Sequence, residues 1–435
     1  MRRSRVGPKA VILFLAVAAL AGRAALAAPG ARAVVLLSID DLRRDEAHGA
    51  AFERLRRESV EFTEAQTAAT WTLPSHASML TSLSPSAHGA GGAEERPLPD
   101  WTPFAPALLA RRGYRTAAFV QAAFLDRAFG FARGFDTHQF DGPLHSTRTF
   151  SDALAWLTKH RAEPLFLFVH TSAVHRAARL PDSAARSGPF RCPLPIDYLH
   201  AFPVPPPMTF SAASCLGARY NYENAVACLD PELASFLAGV DAELDPASTL
   251  VIVTSDHGES LCDGGDPHRR GHAGPPFDEQ EGVPLFVRYP GGLAAGTRRG
   301  EPVSLLDIAP TILAQTDVPA PGAWEGVPLE PSSAGPADRP LFSEDDGWRS
   351  VTRRDQRLVS FNGGRTELWR SGRVDNAPET EAAKKALVRV LDEHGARTHG
   401  SRRQLETRAP YAVPASTAAI PTPTREALRF AGYLP

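Results

Sequence analysis

Apolar and polar positions along the chain fall into two alternating regimes. Val34–Ile39, Thr116–Val120, Leu165–His170 and Leu250–Thr254 are unbroken apolar runs, as strands buried on both faces require. Phe104–Arg112, Ser151–His160 and Asp230–Val240 instead repeat their apolar residues at helical spacing. Strand and helix in alternation predict an α/β fold, an αβα sandwich whose central sheet is mostly parallel. The stretch Arg176–Arg219 breaks the rhythm: it is Pro- and Ser-rich and longer than ordinary connections, so it reads as a loop insertion near a binding face. From about Pro336 the alternation stops. Arg357–Phe361 and Glu367–Trp369, separated by a turn containing Asn362-Gly363-Gly364, predict a hairpin, with a helix near Glu379–His394 behind it. The expected organisation is a main domain over 33–336 and a small α+β subdomain over 337–435, with no internal repeat.

The first residues follow a different logic. Arg2, Arg3, Arg5 and Lys9 precede an apolar run from Val11 to Ala21, and Ala25-Leu26-Ala27 reads as a small-x-small cleavage site. That is the layout of a secretory signal peptide over residues 1–27. The run falls short of the roughly 20 residues a membrane-spanning helix needs. The expectation is therefore an exported protein, periplasmic or secreted, without stable membrane insertion. The formal net charge of −2 and the absence of a long basic block exclude nucleic acid as the partner. Export also turns the four cysteines into disulfide candidates. Cys192 with Cys215, within one Pro-rich stretch, is the favoured pair, Cys228 with Cys262 follows by elimination, and buried free thiols weigh about as much. The sequence leaves the oligomeric state open.

Chemistry concentrates where strands end. Val34–Ile39 runs into Asp40-Asp41, and Leu250–Thr254 runs into Ser255-Asp256-His257-Gly258-Glu259. Ligands of open parallel sheets bind beyond the carboxyl ends of strands, so two such ends can bring three carboxylates and one imidazole to a single point. That is the donor set of a divalent metal site. Taken singly, Asp40 and Asp256 read equally well as caps of the helices that follow them. A third segment is Thr70-Trp71-Thr72-Leu73-Pro74-Ser75-His76, where Pro74 suits the first turn of a helix and puts Thr72 just before its N-terminus. Backbone N–H groups at such an end attract anions. A threonine there becomes a nucleophile only if a metal lowers its pKa; alone it reads first as an N-cap.

Together these residues resemble the sulfatase family of the alkaline-phosphatase superfamily. Val35–Asp45 is similar to the family's opening strand and metal-binding acid pair, and Thr72-Leu73-Pro74-Ser75-His76 to its nucleophile signature, Cys/Ser-x-Pro-Ser-Arg. Gly113–Val120, Phe129–Asp136, Tyr222–Asp230, Thr254–Glu259, Gly271-His272, Phe277-Asp278-Glu279, Val283–Pro290, Val303–Leu313 and Leu428–Leu434 continue the likeness in order. His170 and His175 resemble the two histidines after the central strand.

Two departures carry the inference. Sulfatases oxidise the signature cysteine or serine to formylglycine, and threonine cannot yield that aldehyde. They also surround the sulfate with an arginine and two lysines. Here His76 takes the arginine position, and Lys159 is the single lysine between Lys9 and Lys384. The pattern that remains resembles threonine-nucleophile members of the superfamily, which transfer phosphoryl groups by positioning and charge stabilisation. The resemblance implies one divalent ion on Asp40, Asp41, Asp256 and His257, with Thr72 beside it. Calcium is the family's metal; His257 as a nitrogen ligand moves the preference toward manganese or zinc. His272 and His175 are the candidates to bind the transferring oxygens or protonate the leaving group, His76 and Arg43 the substrate-binding candidates, and His170 reads as a structural residue. Three readings stay open: a hydrolase using Thr72 on phosphate mono- or diesters in preference to sulfate esters, a phosphoryl transferase acting on an envelope glycan or lipid, and a non-catalytic binding protein. Under the first two the partner is a small-molecule, glycan or lipid ester.

Overall fold

The computed structural model describes residues 30–92, 94–142, 146–175, 212–266, 269–370, 372–408 and 421–430. The signal-peptide segment, most of the Arg176–Arg219 stretch and Cys192 lie outside them. The apolar runs become strands β1 (Ala33–Ile39), β3 (Arg115–Val120), β5 (Leu165–Thr171) and β6 (Thr249–Thr254). With β2 (Val60–Phe62), β4 (Thr137–Phe140), β7 (Leu285–Arg288) and β8 (Thr297–Arg299) they form one eight-stranded sheet in the order β8-β2-β7-β6-β1-β5-β3-β4. β1 lies at its centre, parallel to β5 and to β6. β7 runs antiparallel to both of its neighbours, β6 and β2.

The central strands read as continuous apolar runs because both faces are covered. Val34 and Leu36 of β1 belong to one core, packed with α2 (Thr72–Thr81) and the helix Ile308–Gln315 through Leu73, Ala77, Ile308 and Ile312. Val35, Leu37 and Ile39 point to the other core, against α1 (Ala50–Glu58), the helix Ser146–His160 and the helix Ala212–Glu243, through Phe52, Phe150, Tyr222 and Leu233. Each such buried side chain contributes about 2 kcal/mol. This two-core arrangement is the predicted sandwich.

Helix Ala212–Glu243 is longer than the sequence pattern suggested, with Pro231 inside it and its first turns in the stretch read as loop. Asp230 on this helix caps α1 from a distance, its carboxylate accepting from Ala50 N (2.9 Å) and Ala51 N (2.8 Å). Gly49 permits that approach, since a Cβ there would stand 2.4 Å from the Asp230 carboxylate. The expected Cys192–Cys215 and Cys228–Cys262 pairs are replaced. Cys215 is bonded to Cys262, with their Cα atoms 5.6 Å apart, which ties this helix to the loop after β6. Cys228 is disulfide-bonded as well. The sequence neighbourhood of Cys192 and Cys215 misled the pairing because helix packing, not chain proximity, brings Cys215 to Cys262.

The C-terminal region holds a five-stranded antiparallel sheet, Leu341–Asp345, Trp348–Arg353, Gln356–Phe361, Thr366–Arg370 and Arg373–Val374. The predicted hairpin is its third and fourth strands. The last long helix, Glu381–Arg408, packs Leu387 and Leu391 against Val351, Leu358 and Leu368 of that sheet.

Candidate functional site

Register decides what meets at the sheet's carboxyl edge. Ser38 of β1 stands opposite Thr254 of β6 and His170 of β5, so the residues just beyond these strands converge. The chain turns sharply after β1, with Asp41 at φ 66°, a left-handed value that a non-glycine residue adopts only when its surroundings hold it. Tyr222 supplies that hold: its hydroxyl donates to the Asp41 carbonyl (2.7 Å) and accepts from Arg43 N (2.8 Å). Across the gap, Asp256 Oδ1 accepts from Asp41 N (3.3 Å) and His257 N (2.9 Å), and Ser255 Oγ accepts from Leu42 N (2.9 Å).

The result is a buried cluster of acids and imidazoles. Asp40, Asp256 and His257 each offer a ligand atom within 4.8 Å of the others, and so do Asp41, His257 and His272, and Asp40, Asp41 and His175. His170 and His76 form a further group with Asp256. His257 Nδ1 lies 2.9 Å from Asp41 Oδ1, and His257 Nε2 lies 3.4 Å from Asp256 Oδ2 and 3.6 Å from Asp40 Oδ1. Every predicted ligand is at most 2% exposed.

Burial and mutual repulsion distort the protonation of this cluster. Burial, with Asp41 beside it, pushes the Asp40 carboxyl up to about 7. Burial and Asp40 raise Asp256 in the same way. Burial also acts on Asp41, yet His272, His175 and His257 together hold it well below the ordinary range. Against their own burial, His257 is raised by Asp256 and Asp41, and His272 by Asp41 and Glu259. A cation fits this donor set on an observation independent of titration. Asp40 Oδ1, Asp256 Oδ2, His257 Nε2 and both nitrogens of His170 are buried without a hydrogen-bond partner among the described residues. Such groups are costly unless something binds them. The carboxylates suit calcium or manganese, and the imidazoles among the donors move the preference toward manganese or zinc.

Thr72 is the first residue of α2, and Trp71, not Thr72, occupies the cap position. The helix end is fastened to the cluster: Ser75 Oγ donates to the Asp256 carbonyl (2.7 Å), and Ala273 N donates to the Thr70 carbonyl (2.8 Å). His272 is brought in by the loop after β6, its Nδ1 2.7 Å from Glu259 Oε2 and 3.0 Å from Asp41 Oδ1. His175 follows β5, with Nε2 3.8 Å from Asp41 Oδ2.

Two expected substrate contacts need correction. His76 is fully buried. Its Nδ1 donates to the Thr72 carbonyl (2.8 Å), and its Nε2 accepts from Ser38 Oγ (2.9 Å). Both nitrogens are spent inside the protein, and burial lowers the pKa to about 4, so His76 stays neutral. Arg43 is 4% exposed. It spends its guanidinium on Asp45 (2.7 and 2.9 Å), Asp263 (2.9 and 3.0 Å) and the Glu259 carbonyl (3.2 Å). It ties the turn after β1 to the loop after β6. In the other direction, His170, read from sequence as structural, faces Asp40 at 3.5 Å within the donor cluster. In the sequence, Glu259 and Tyr222 stand only as parts of longer motifs, Thr254–Glu259 and Tyr222–Asp230. The acid three places after Asp256 was a visible signal for Glu259; nothing local pointed to the Tyr222 hydroxyl.

Fold and site together define a class: an open α/β sheet with a buried divalent-cation donor cluster beyond its central strands and a hydroxyl residue heading the adjoining helix. The family model described as Sulfatase matches residues 32–318, and the chain belongs to that family. It is 30% identical to arylsulfatase K of Danio rerio over 165 residues, 36% of this chain and 31% of that one. It is 32% identical to steryl-sulfatase of Mus musculus over 205 residues, 44% of this chain and 28% of that one. The chain thus matches about a third of the length of these curated relatives. Among solved structures, a phosphonate monoester hydrolase of Silicibacter pomeroyi superposes with a TM-score of 0.67 at 19% identity, covering 84% of this chain and 95% of that one. A structure in complex with its substrate D-glucosamine-2-N,6-O-disulfate superposes with a TM-score of 0.69 at 17% identity, covering 86% and 98%.

Proposed function

We propose that this protein is an exported, metal-dependent hydrolase of sulfate- or phosphate-type esters that uses Thr72 as an alcohol nucleophile and prefers phosphate mono- or diesters. One observation carries the reading: Thr72 heads a helix fastened through Ser75 to Asp256, within the buried donor cluster of Asp40, Asp41, Asp256 and His257. These four residues would hold the ion, which supplies charge stabilisation and lowers the pKa of an adjacent alcohol. The Thr72 oxygen forms the new bond to phosphorus as the ester oxygen departs in line, and water then cleaves the phosphoryl-threonine. His272, whose pKa Asp41 and Glu259 raise against its burial, is suited to give a proton to the departing oxygen. His175, 3.8 Å from Asp41, would steady the oxygens of the transferring group. Threonine offers no aldehyde, and the charged side chains that the family sets around sulfate have no counterparts at the matching positions: His76 is neutral and spent, and Lys159, the single lysine between Lys9 and Lys384, is exposed near the end of its helix. A sulfo-threonine would release poorly; a phosphoryl-threonine would not. The disulfide between Cys215 and Cys262 supports the oxidising location that the leader sequence implies.

The test is a side-by-side assay of p-nitrophenyl sulfate, p-nitrophenyl phosphate and bis(p-nitrophenyl) phosphate, with added calcium, manganese or zinc. Phosphate or phosphodiester turnover should dominate. Thr72→Ala should lose at least about 10³-fold in rate, whereas Thr72→Ser should retain part of it. A clear preference for the sulfate by protein whose residue 72 is threonine would overturn the mechanism.

A further inference from the structure

His170 is fully buried, and neither of its ring nitrogens has a hydrogen-bond partner among the described residues. Nearly all buried polar side chains find a partner, so two orphaned nitrogens on one ring call for a cause. The fold aims this ring. Side chains alternate along β5: Phe166 and Phe168 enter the core packed with α2, and His170, two places further on, falls in the same row. The His76 ring of α2 stands edge-on to it, with centroids 5.1 Å apart at 70°. His76 is itself fixed by its bonds to the Thr72 carbonyl and Ser38 Oγ. Held in this way, His170 presents Nε2 to Asp40 Oδ2 at 3.5 Å.

That separation is too long for a good hydrogen bond. It matches two donors sharing one ion, since ligand atoms about 2.1 Å from a transition metal stand about 3.0–3.5 Å from each other. His257 repeats the spacing, with Nε2 3.6 Å from Asp40 Oδ1 and 3.4 Å from Asp256 Oδ2. Asp40 thus turns one oxygen toward each imidazole. Asp256 is common to both as well: it offers a ligand atom within 4.8 Å of those of His170 and His76, and one within 4.8 Å of those of Asp40 and His257. His76 has committed both nitrogens, which leaves His170 as the available imidazole of its group.

We infer that His170 is a ligand of the divalent ion, joining His257 as a second imidazole on the Asp40 and Asp256 pair, and that this added nitrogen makes the centre select zinc over calcium. The inference rests on the reading of the acid cluster as an ion site and does not depend on which ester is cleaved. Calcium takes six to eight oxygens and gains little from imidazole. Two imidazoles with two carboxylates are a zinc donor set, and zinc stands above manganese in affinity for such ligands. His76 then acts as a positioning residue, a locked wall that keeps the His170 ring turned to the carboxylates.

Titration of the metal-free full chain with zinc, manganese or calcium, each alone, tests the inference. Zinc should bind tightest, and calcium at least about 10³-fold more weakly. His170→Phe keeps a ring in place beside Phe168 and removes both nitrogens. It should weaken zinc by at least about 100-fold, the upper end of what loss of a mere supporting partner costs. Its calcium affinity should change by less than about threefold, because the carboxylates hold that ion; a structural role for His170 would weaken both metals alike. X-ray absorption of the zinc-loaded parent should show one more imidazole on the ion than in zinc-loaded His170→Phe. The inference is overturned if zinc and calcium bind the parent equally, if the imidazole count is the same in both proteins, or if His170→Phe weakens both metals to the same extent. Asp256→Ala separates this failure from that of the ion site. Zinc lost in Asp256→Ala but unaltered in His170→Phe removes the inference alone, whereas a parent that binds no metal, or an Asp256→Ala that binds as the parent does, removes the ion site with it.

Discussion

Glu259 shows how one carboxylate sets the behaviour of a histidine. It lies 2.7 Å from His272 Nδ1, while Asp41 approaches the same nitrogen at 3.0 Å. Two acids on one nitrogen fix the proton on Nδ1, orient the ring, and raise the pKa of His272 against its burial. Glu259→Gln keeps the shape and removes one of the two charges. Steady-state rates of this variant should fall by about 10- to 100-fold, and the alkaline limb of its pH–rate profile should move to lower pH as the imidazolium loses support. An unmoved limb would show that Glu259 has only a packing role. His76, although it occupies a signature position, should lack such a profile, because both its nitrogens are engaged internally.

At the scale of elements, the site depends on a helix that supplies no ligand. Helix Ala212–Glu243 places the Tyr222 hydroxyl between the Asp41 carbonyl and Arg43 N, bracing a turn whose φ of 66° is costly for aspartate. The same helix carries Cys215 to Cys262 and Asp230 to the first turn of α1. Tyr222→Phe leaves both backbone groups unmet in a site closed to water. Its unfolding free energy should drop by about 1–3 kcal/mol, and its metal affinity should weaken, readable by titration calorimetry; unchanged affinity would mean that the turn holds without the tyrosine. On the opposite side, Arg357 of the C-terminal sheet grips the loop that follows His272, with contacts to the Pro276 carbonyl (2.6 Å), Asp278 (2.7 Å) and Glu281 (2.8 Å). The antiparallel sheet is thereby joined to the loop that carries a catalytic candidate.

Across the molecule, burial lowers the pKa of His76, His88, His170 and His394, and each such histidine favours the folded chain less as the pH falls. His88 is completely buried: its Nδ1 accepts from Ala90 N (2.9 Å), so its Nε2 proton goes to Ser78 Oγ (3.1 Å). Burial pushes its pKa down to about 3. In the unfolded chain it titrates near 6.5. The depressed folded value means that this contribution is complete above about pH 6.5 and is lost as the pH falls toward 3, because the unfolded chain takes up the proton first. The neighbouring Arg402 reinforces the effect. Stability curves by denaturant between pH 7 and pH 4 should therefore be shallower for His88→Gln than for the parent, by about 1.4 kcal/mol per pH unit at most. Parallel curves would place the acid sensitivity elsewhere.

The order of strands and helices, the main parallel sheet and the acids at its carboxyl edge were legible in the sequence. Period and strand-end position are local properties, and buried strands must be apolar on both faces. The pair Asp40-Asp41, the run Asp256-His257 and the helix opening at Thr72 could be read for the same reason. What the chain does not write locally is which distant groups meet. His170 joined the donor cluster because its strand pairs in register with β1, and Cys215 reached Cys262 because a long helix packs beside the loop after β6. His76 and Arg43 left the substrate side because packing spent their nitrogens on Ser38, Thr72, Asp45 and Asp263. Residue type and spacing limit which chemistry is possible; burial and partners, fixed only when separate segments pack, decide which residues remain available to perform it.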